Sequence, residues 1–182
     1  QIAFSQERYS DALAGATAAT ASKEPPIRLQ AHLLIGESQL QLKRYPEAQA
    51  AYETVLRSKP SVSVIADAYY GLGWAALQQN QLEGAVRAFR QLLTGAPTHH
   101  LAPSAAYHLA RVLADLNRPA EVRTALAAYE TTYPESPWLA EALYLRGWSQ
   151  QATGQFDVAA NTLQSFLARF PTHALVPQAR LL

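Results

Sequence analysis

Prolines at positions 60, 97, 134 and 171 recur at a constant step of 37 residues, and that step constrains the fold more than any other feature of the chain. A proline cannot continue a helix, and it biases the residue before it towards extended backbone, so each marks a forced turn. Further columns keep the same stride. Gly36, Gly73, Ala110 and Gly147 are small; Ala48, Ala85, Val122 and Ala159 follow twelve positions later, and Tyr52, Phe89, Leu126 and Leu163 supply a large apolar residue four positions after those. Such self-similarity is the signature of a repeat architecture.

The unit is clearest between Ala68 and Pro97. Tyr69, Leu72, Gly73 and Ala76 lie at i, i+3, i+4, i+7 spacing, and Leu82, Ala85, Phe89 and Leu92 repeat the pattern, so each segment is a helix with one apolar stripe. The bend Gln78–Gln81 separates them, and Gly95 with Pro97 stops the second. Neither stripe buries itself alone. Antiparallel helix pairs must therefore stack along one axis, with the small residue of the first helix letting the second cross closely and the large residue filling the space between units. First helices are expected at about 27–42, 64–79, 102–116 and 138–153, and second helices at 46–58, 83–94, 119–132 and 156–169. The chain is then one stack over 1–182: a remainder over 1–25, repeats at 26–61, 62–98, 99–135 and 136–172, and a cut helix over 173–182. Gln1 is expected within a first helix and the stretch Ala12–Ala21 as the least packed helix, since Gly15 and its small neighbours have little to bury.

The order small residue, bend, alanine, large residue, proline resembles the tetratricopeptide repeat, whose signature is best matched by Tyr69, Leu72, Gly73, Leu82, Ala85, Phe89 and Pro97. Two columns depart from it: Gln39, Ala76, Leu113 and Gln150 stand where the family carries tyrosine, and Val122 stands for alanine. The resemblance implies an all-α, right-handed superhelix of stacked helix pairs. Inter-unit turns such as FPTHALVPQA and YPESPWLAEA resemble the bacterial cell-envelope subclass, which includes the Tol-Pal coordinator and outer-membrane assembly lipoproteins; location itself stays open, with that resemblance favouring periplasm or envelope over cytoplasm.

In this family ligands meet the first-helix face three residues before and one after the signature glycine. Those positions are Leu33, Tyr70, Tyr107 and Tyr144, and Glu37, Trp74, Arg111 and Trp148. Rings with an arginine among them form a rigid amphipathic surface suited to anchoring a peptide or partner helix. The competing expectation is that the tyrosines pack between neighbouring first helices. Relatives that hold acidic chaperone tails use lysine, asparagine and arginine here, and only Arg111 matches. The expected partner is therefore apolar, aromatic or proline-rich, with Asp67 and Glu141 giving a mildly acidic rim. A scaffold that self-associates through its ends or convex face is the alternative.

Composition adds exclusions. Fifteen basic and 14 acidic residues leave a formal net charge of +1 with no Lys/Arg run, so nucleic acid is not an expected partner, and no segment is expected to insert in a membrane. Cysteine is absent, which removes disulfides, thiolate metal sites and a cysteine nucleophile. The histidines, including the adjacent His99 and His100, lack catalytic metal spacing, and no nucleophile elbow or phosphate loop occurs. No enzyme activity, cofactor or metal is expected. Absence of a starting methionine and the cut helix at 173–182 read as a segment of a longer protein.

Overall fold

A computed structural model describes the backbone of residues 2–182 and the side chains of residues 6–182. Every regular element described is helical. The first compact unit, Gln1–Leu101, holds α1 (Ile2–Ala19), α2 (Pro25–Gln41), α3 (Tyr45–Arg57), α4 (Val62–Gln78) and α5 (Leu82–Gly95). The second, Ala102–Leu182, holds α6 (Ala102–Asp115), α7 (Pro119–Leu126), α8 (Tyr129–Thr132), α9 (Leu139–Ala152), α10 (Phe156–Arg169) and α11 (Val176–Ala179). Within the first unit each helix packs on the next in order, and α2 also meets α4; within the second, α9 packs against both α7 and α10. The result is the α-solenoid of helix pairs that the 37-residue stride requires.

The close approach of helices rests on rings seated against glycine. A Cβ added to Gly36 would lie 2.7 Å from the Tyr52 ring, and one added to Gly71 would lie 2.2 Å from it. Tyr52, only 2% exposed, is thus gripped between α2 and α4. Phe89 fills the same role at Gly73, with 2.5 Å to a hypothetical Cβ, and Leu163 at Gly147, with 2.6 Å. The space vacated by Gly36, Gly73 and Gly147 is taken by the large residue sixteen positions later rather than by the alanine between them. Ala48, Tyr52, Val55, Ala68 and Ala75 form the core of the first unit, with Leu33 among them.

Each first helix ends in the same way. Lys43, Asn80, Asn117 and Gly154 carry φ of 60°, 57°, 54° and 77°, a column in step with the prolines. The residue after each returns its N–H to a first-helix carbonyl five positions back: Arg44 to Gln39 at 2.8 Å, Gln81 to Ala76 at 2.8 Å, Arg118 to Leu113 at 2.9 Å and Gln155 to Gln150 at 2.8 Å. This is the Schellman closure, which needs a left-handed residue and favours glycine or asparagine. Lys43 is the costly member of the column.

Two elements differ from the expected ones. The second helix foreseen over 119–132 is split into α7 and α8, because the buried Tyr129 turns inward and donates its hydroxyl to the Pro103 carbonyl at 2.9 Å. Only Val176–Ala179 of the final stretch is helical. At the other end α1 runs unbroken through Tyr9, and of its described residues only Ala16 is buried. Residue 1 lies outside the described residues.

These contacts give glycine and lysine substitutions opposite signs. Gly71→Ala drives a methyl into a ring that cannot retreat and should lower stability by about 1–3 kcal/mol. Lys43→Gly relieves a left-handed non-glycine residue and should raise it by about 1 kcal/mol. Urea unfolding followed by circular dichroism measures both, and a Tyr52→Leu background should shrink the Gly71→Ala penalty.

Candidate functional site

The first unit contains a cavity of about 640 Å³ whose walls come from α2, α3, α4 and the turn after α5. Three of the sequence-selected residues meet there: Glu37 from α2, and Tyr70 and Trp74 from α4. Tyr70 stands edge-on to Trp74 with ring centroids 6.3 Å apart, and edge-on to Phe89 at 6.0 Å. Its orientation is thus set by the core ring that fills Gly73. Tyr52 and Gly71 also line the cavity, so the side chain that spaces α2 from α4 contributes to its wall.

The electrostatics are one-sided. Glu37 and Asp67 both line the cavity, and burial together with the nearby Asp67 charge raises the Glu37 carboxyl above its usual range. The Tyr52 hydroxyl is pushed well up by burial and then by Glu37 and Asp67. Among the described residues Lys43 is the one permanent cation on the wall. A neighbouring hollow of about 560 Å³, bounded by α1, α2 and α4, shares Glu37 and Asp67. The carboxylates therefore sit where the two spaces meet.

The other selected positions are differently placed. Leu33 is 6% exposed and packs in the core, so it offers a ligand almost no surface. Tyr107 is 8% exposed and stacks on Trp138, with centroids 4.8 Å apart and planes 7° from parallel. Both side chains are thus taken up by packing, Tyr107 against a turn residue and not between first helices. Arg111 is half-buried and hydrogen-bonds the Tyr107 hydroxyl, which burial nonetheless keeps above its ordinary range. Tyr144 and Trp148 on α9 are half-buried, and the Tyr144 ring lies 6.4 Å from Phe166. Trp138, overlooked in the sequence because it falls in an inter-unit turn rather than a first-helix column, is the centre of the second unit's ring cluster.

The turn histidines have a structural use. His99 accepts the Leu101 N–H at Nδ1 (3.4 Å), which leaves Nε2–H to face Ser63 Oγ at 3.2 Å and Asp67 at 3.7 Å. His173 repeats this, accepting from Leu175 at 3.3 Å and facing Glu141 at 3.5 Å. Donor atoms of Asp67, His99 and His100 lie within 4.8 Å of one another, close enough to be asked about a metal. A ring whose Nδ1 accepts a hydrogen bond keeps its proton on Nε2, which makes it a hydrogen-bond donor rather than a ligand.

The tetratricopeptide repeat profile matches residues 1–63 and 44–100, and a second profile of the same name matches 141–173. The chain belongs to the tetratricopeptide repeat family. Among solved structures, YrrB, described as a TPR protein with an unusual peptide-binding site, is 21% identical, with 98% of this chain and 86% of that one covered and a TM-score of 0.74. MamA is 18% identical over 90% of both chains with a TM-score of 0.70. A putative kinesin light chain with TPR-like repeats from Podosopora anserina is 19% identical, covering 92% of this chain and 86% of its own, at 0.69. At such identities these likenesses concern the fold. No curated protein matches the chain. Tetratricopeptide repeat proteins are typically non-enzymatic scaffolds for other proteins. Among the described residues no helix is long and apolar enough to cross a membrane.

The second unit carries a pH-sensitive group. His108 is 2% exposed beside Trp138, and burial, aided by Arg111, pushes its imidazole down to about 4. The unfolded chain takes up this proton near pH 6.5 and the folded one does not. Stability should therefore hold above that pH and fall by on the order of 3 kcal/mol as pH drops from 6.5 towards 4. Urea midpoints at pH 7, 5.5 and 4.5 test this, and His108→Leu should flatten the decline.

Proposed function

We propose that this protein is a peptide-binding scaffold, and that its first unit takes an apolar or aromatic side chain of a partner segment into the cavity beside Tyr70 and Trp74. The observation that carries this reading is the pair itself: two rings held edge-on at 6.3 Å, both half-buried, on the wall of a space of about 640 Å³. That volume lies in the range typical of ligand pockets. Large rigid rings with few rotatable bonds lose little entropy when they anchor a partner. The peptide-binding site ascribed to YrrB on a similar fold supports the same reading. In the second unit, Tyr144, Trp148 and Arg111 form the corresponding candidate contacts.

Selection of displayed random peptides on the purified protein tests the proposal. Enriched peptides should lose about tenfold or more in affinity on Trp74→Ala, a change of about 1.4 kcal/mol or more. Trp74 is only half-buried, so that variant should keep the wild-type helical signal. Equal binding to wild type and Trp74→Ala, or assembly of the protein with itself at micromolar concentration in place of peptide capture, would overturn it.

A further inference from the structure

Resting on the peptide-binding reading, we infer that the partner segment brings a cationic side chain, lysine or arginine, to the Glu37–Asp67 pair beside its apolar anchor. The two carboxylates come from different helices, α2 and α4, and both open into the cavity that Tyr70 and Trp74 line. Like charges held near each other in a partly buried space are costly unless a cation intervenes. The cost is visible: Asp67 and burial together lift the Glu37 carboxyl, and both acids act on the Tyr52 hydroxyl.

Among the described residues the cations near the pair leave that charge incompletely answered, since the Glu37 carboxyl stays raised. The influences that move the Glu37 carboxyl are burial and Asp67; both raise it, and no cation is among them. Asp67 is met by His99, whose Nε2 stands at 3.7 Å and is shared with Ser63. Lys43 shares the wall but acts on neither Glu37 nor Tyr52 among the causes of their shifts. His100 lines the cavity and stacks towards His99 with ring centroids 4.3 Å apart. Arg8 and Tyr9 of α1 share a smaller hollow of about 270 Å³ with Glu37 on the side away from Trp74. Among the described residues, the titratable or charged groups near the pair are thus Arg8, Tyr9, Lys43, Tyr52, His99 and His100.

The chemistry of the remaining wall suits a basic side chain. Its aliphatic stem would lie along Trp74 and Tyr70, and its charged head would meet both the ring faces and the two carboxylates. The acids are contributed by elements whose spacing Tyr52 fixes, so the receptor is pre-formed, and preorganisation spares the partner an ordering cost. An acidic segment would meet the same pair as repulsion, which gives the cavity discrimination as well as affinity.

Peptides selected from a random display library on the full chain provide the probe. Enriched sequences should carry lysine or arginine near an aromatic or branched residue. In the best synthetic peptide, replacing that basic residue by norleucine or citrulline should weaken binding about tenfold or more. The same replacement should matter less than threefold on the Glu37→Gln/Asp67→Asn variant, whose own affinity for the parent peptide falls by a similar factor and loses its salt dependence. Because the substitution on the peptide leaves the protein untouched, a variant that misfolds does not blunt the test. Peptides that bind and depend on Trp74 but carry no basic residue, or whose affinity ignores both acids, would overturn this inference while leaving the peptide-binding reading intact. Failure to enrich any peptide would overturn both.

Discussion

The structure depends on one contact repeated along the chain: a large side chain pressed where a helix lacks a Cβ. Glycine in a helix interior costs roughly 1 kcal/mol relative to alanine through backbone entropy, so its use there requires a return. The return is that α2, α3 and α4 can enclose Tyr52 with no intervening side chain, gripping the ring from Gly36 on one side and Gly71 on the other. Where the small position is alanine, as at Ala110, the large column offers leucine instead of a ring, and both residues are fully buried. Leucine also serves over a missing Cβ, as Leu163 does at Gly147, so what keeps the stride is one small column facing one large one.

That same contact sets the chemistry of the cavity. Tyr52 cannot move outward without releasing the helices and cannot move inward past the glycines, so its hydroxyl is fixed on the wall beside Glu37 and Asp67. Tyr70 is likewise braced by Phe89, the ring that occupies the space over Gly73. The groups facing the cavity are therefore rigid because of core packing beneath them. A surface built this way changes shape little when a partner arrives, and its selectivity comes from the charges and rings it already presents.

Helix pairs, their order and most of their boundaries were legible in the sequence because apolar spacing, bend residues and prolines all keep one period. What escaped was whatever depends on one side chain's direction. Leu33 and Tyr107 share a column with Tyr70, yet Leu33 belongs to the core and Tyr107 to a stack with Trp138. A column specifies a helix face, and whether that face is covered depends on a turn residue such as Trp138 that no periodicity marks. The left-handed column Lys43, Asn80, Asn117 and Gly154 was open to a sequence reading, since two asparagines and a glycine in register signal a helix C-terminus; the lysine at its head concealed it. The break between α7 and α8 was not, because it follows from the Tyr129 hydroxyl finding the Pro103 carbonyl 26 residues away.

The inter-unit turns show how one mechanical task admits different residues. His99, Ser136 and His173 share a column, and each accepts the N–H two residues on, from Leu101, Trp138 and Leu175. Each then turns its other polar atom outward: His99 Nε2 to Ser63 Oγ with Asp67 3.7 Å away, His173 Nε2 towards Glu141, and Ser136 to the Tyr129 oxygen, which in turn donates to Pro103. The acceptor differs because the reach differs. An imidazole spans the gap to an acid on the first helix of the preceding repeat, whereas a serine is too short and needs the tyrosine as an intermediary. Asp67 is thereby held in place by the turn that closes its repeat, and the acid that faces the cavity is also a fastening of the fold. The carboxylate at that position thus has two neighbours of different kinds, the imidazole 3.7 Å away that ties it to the turn and the open cavity where a cation would meet it.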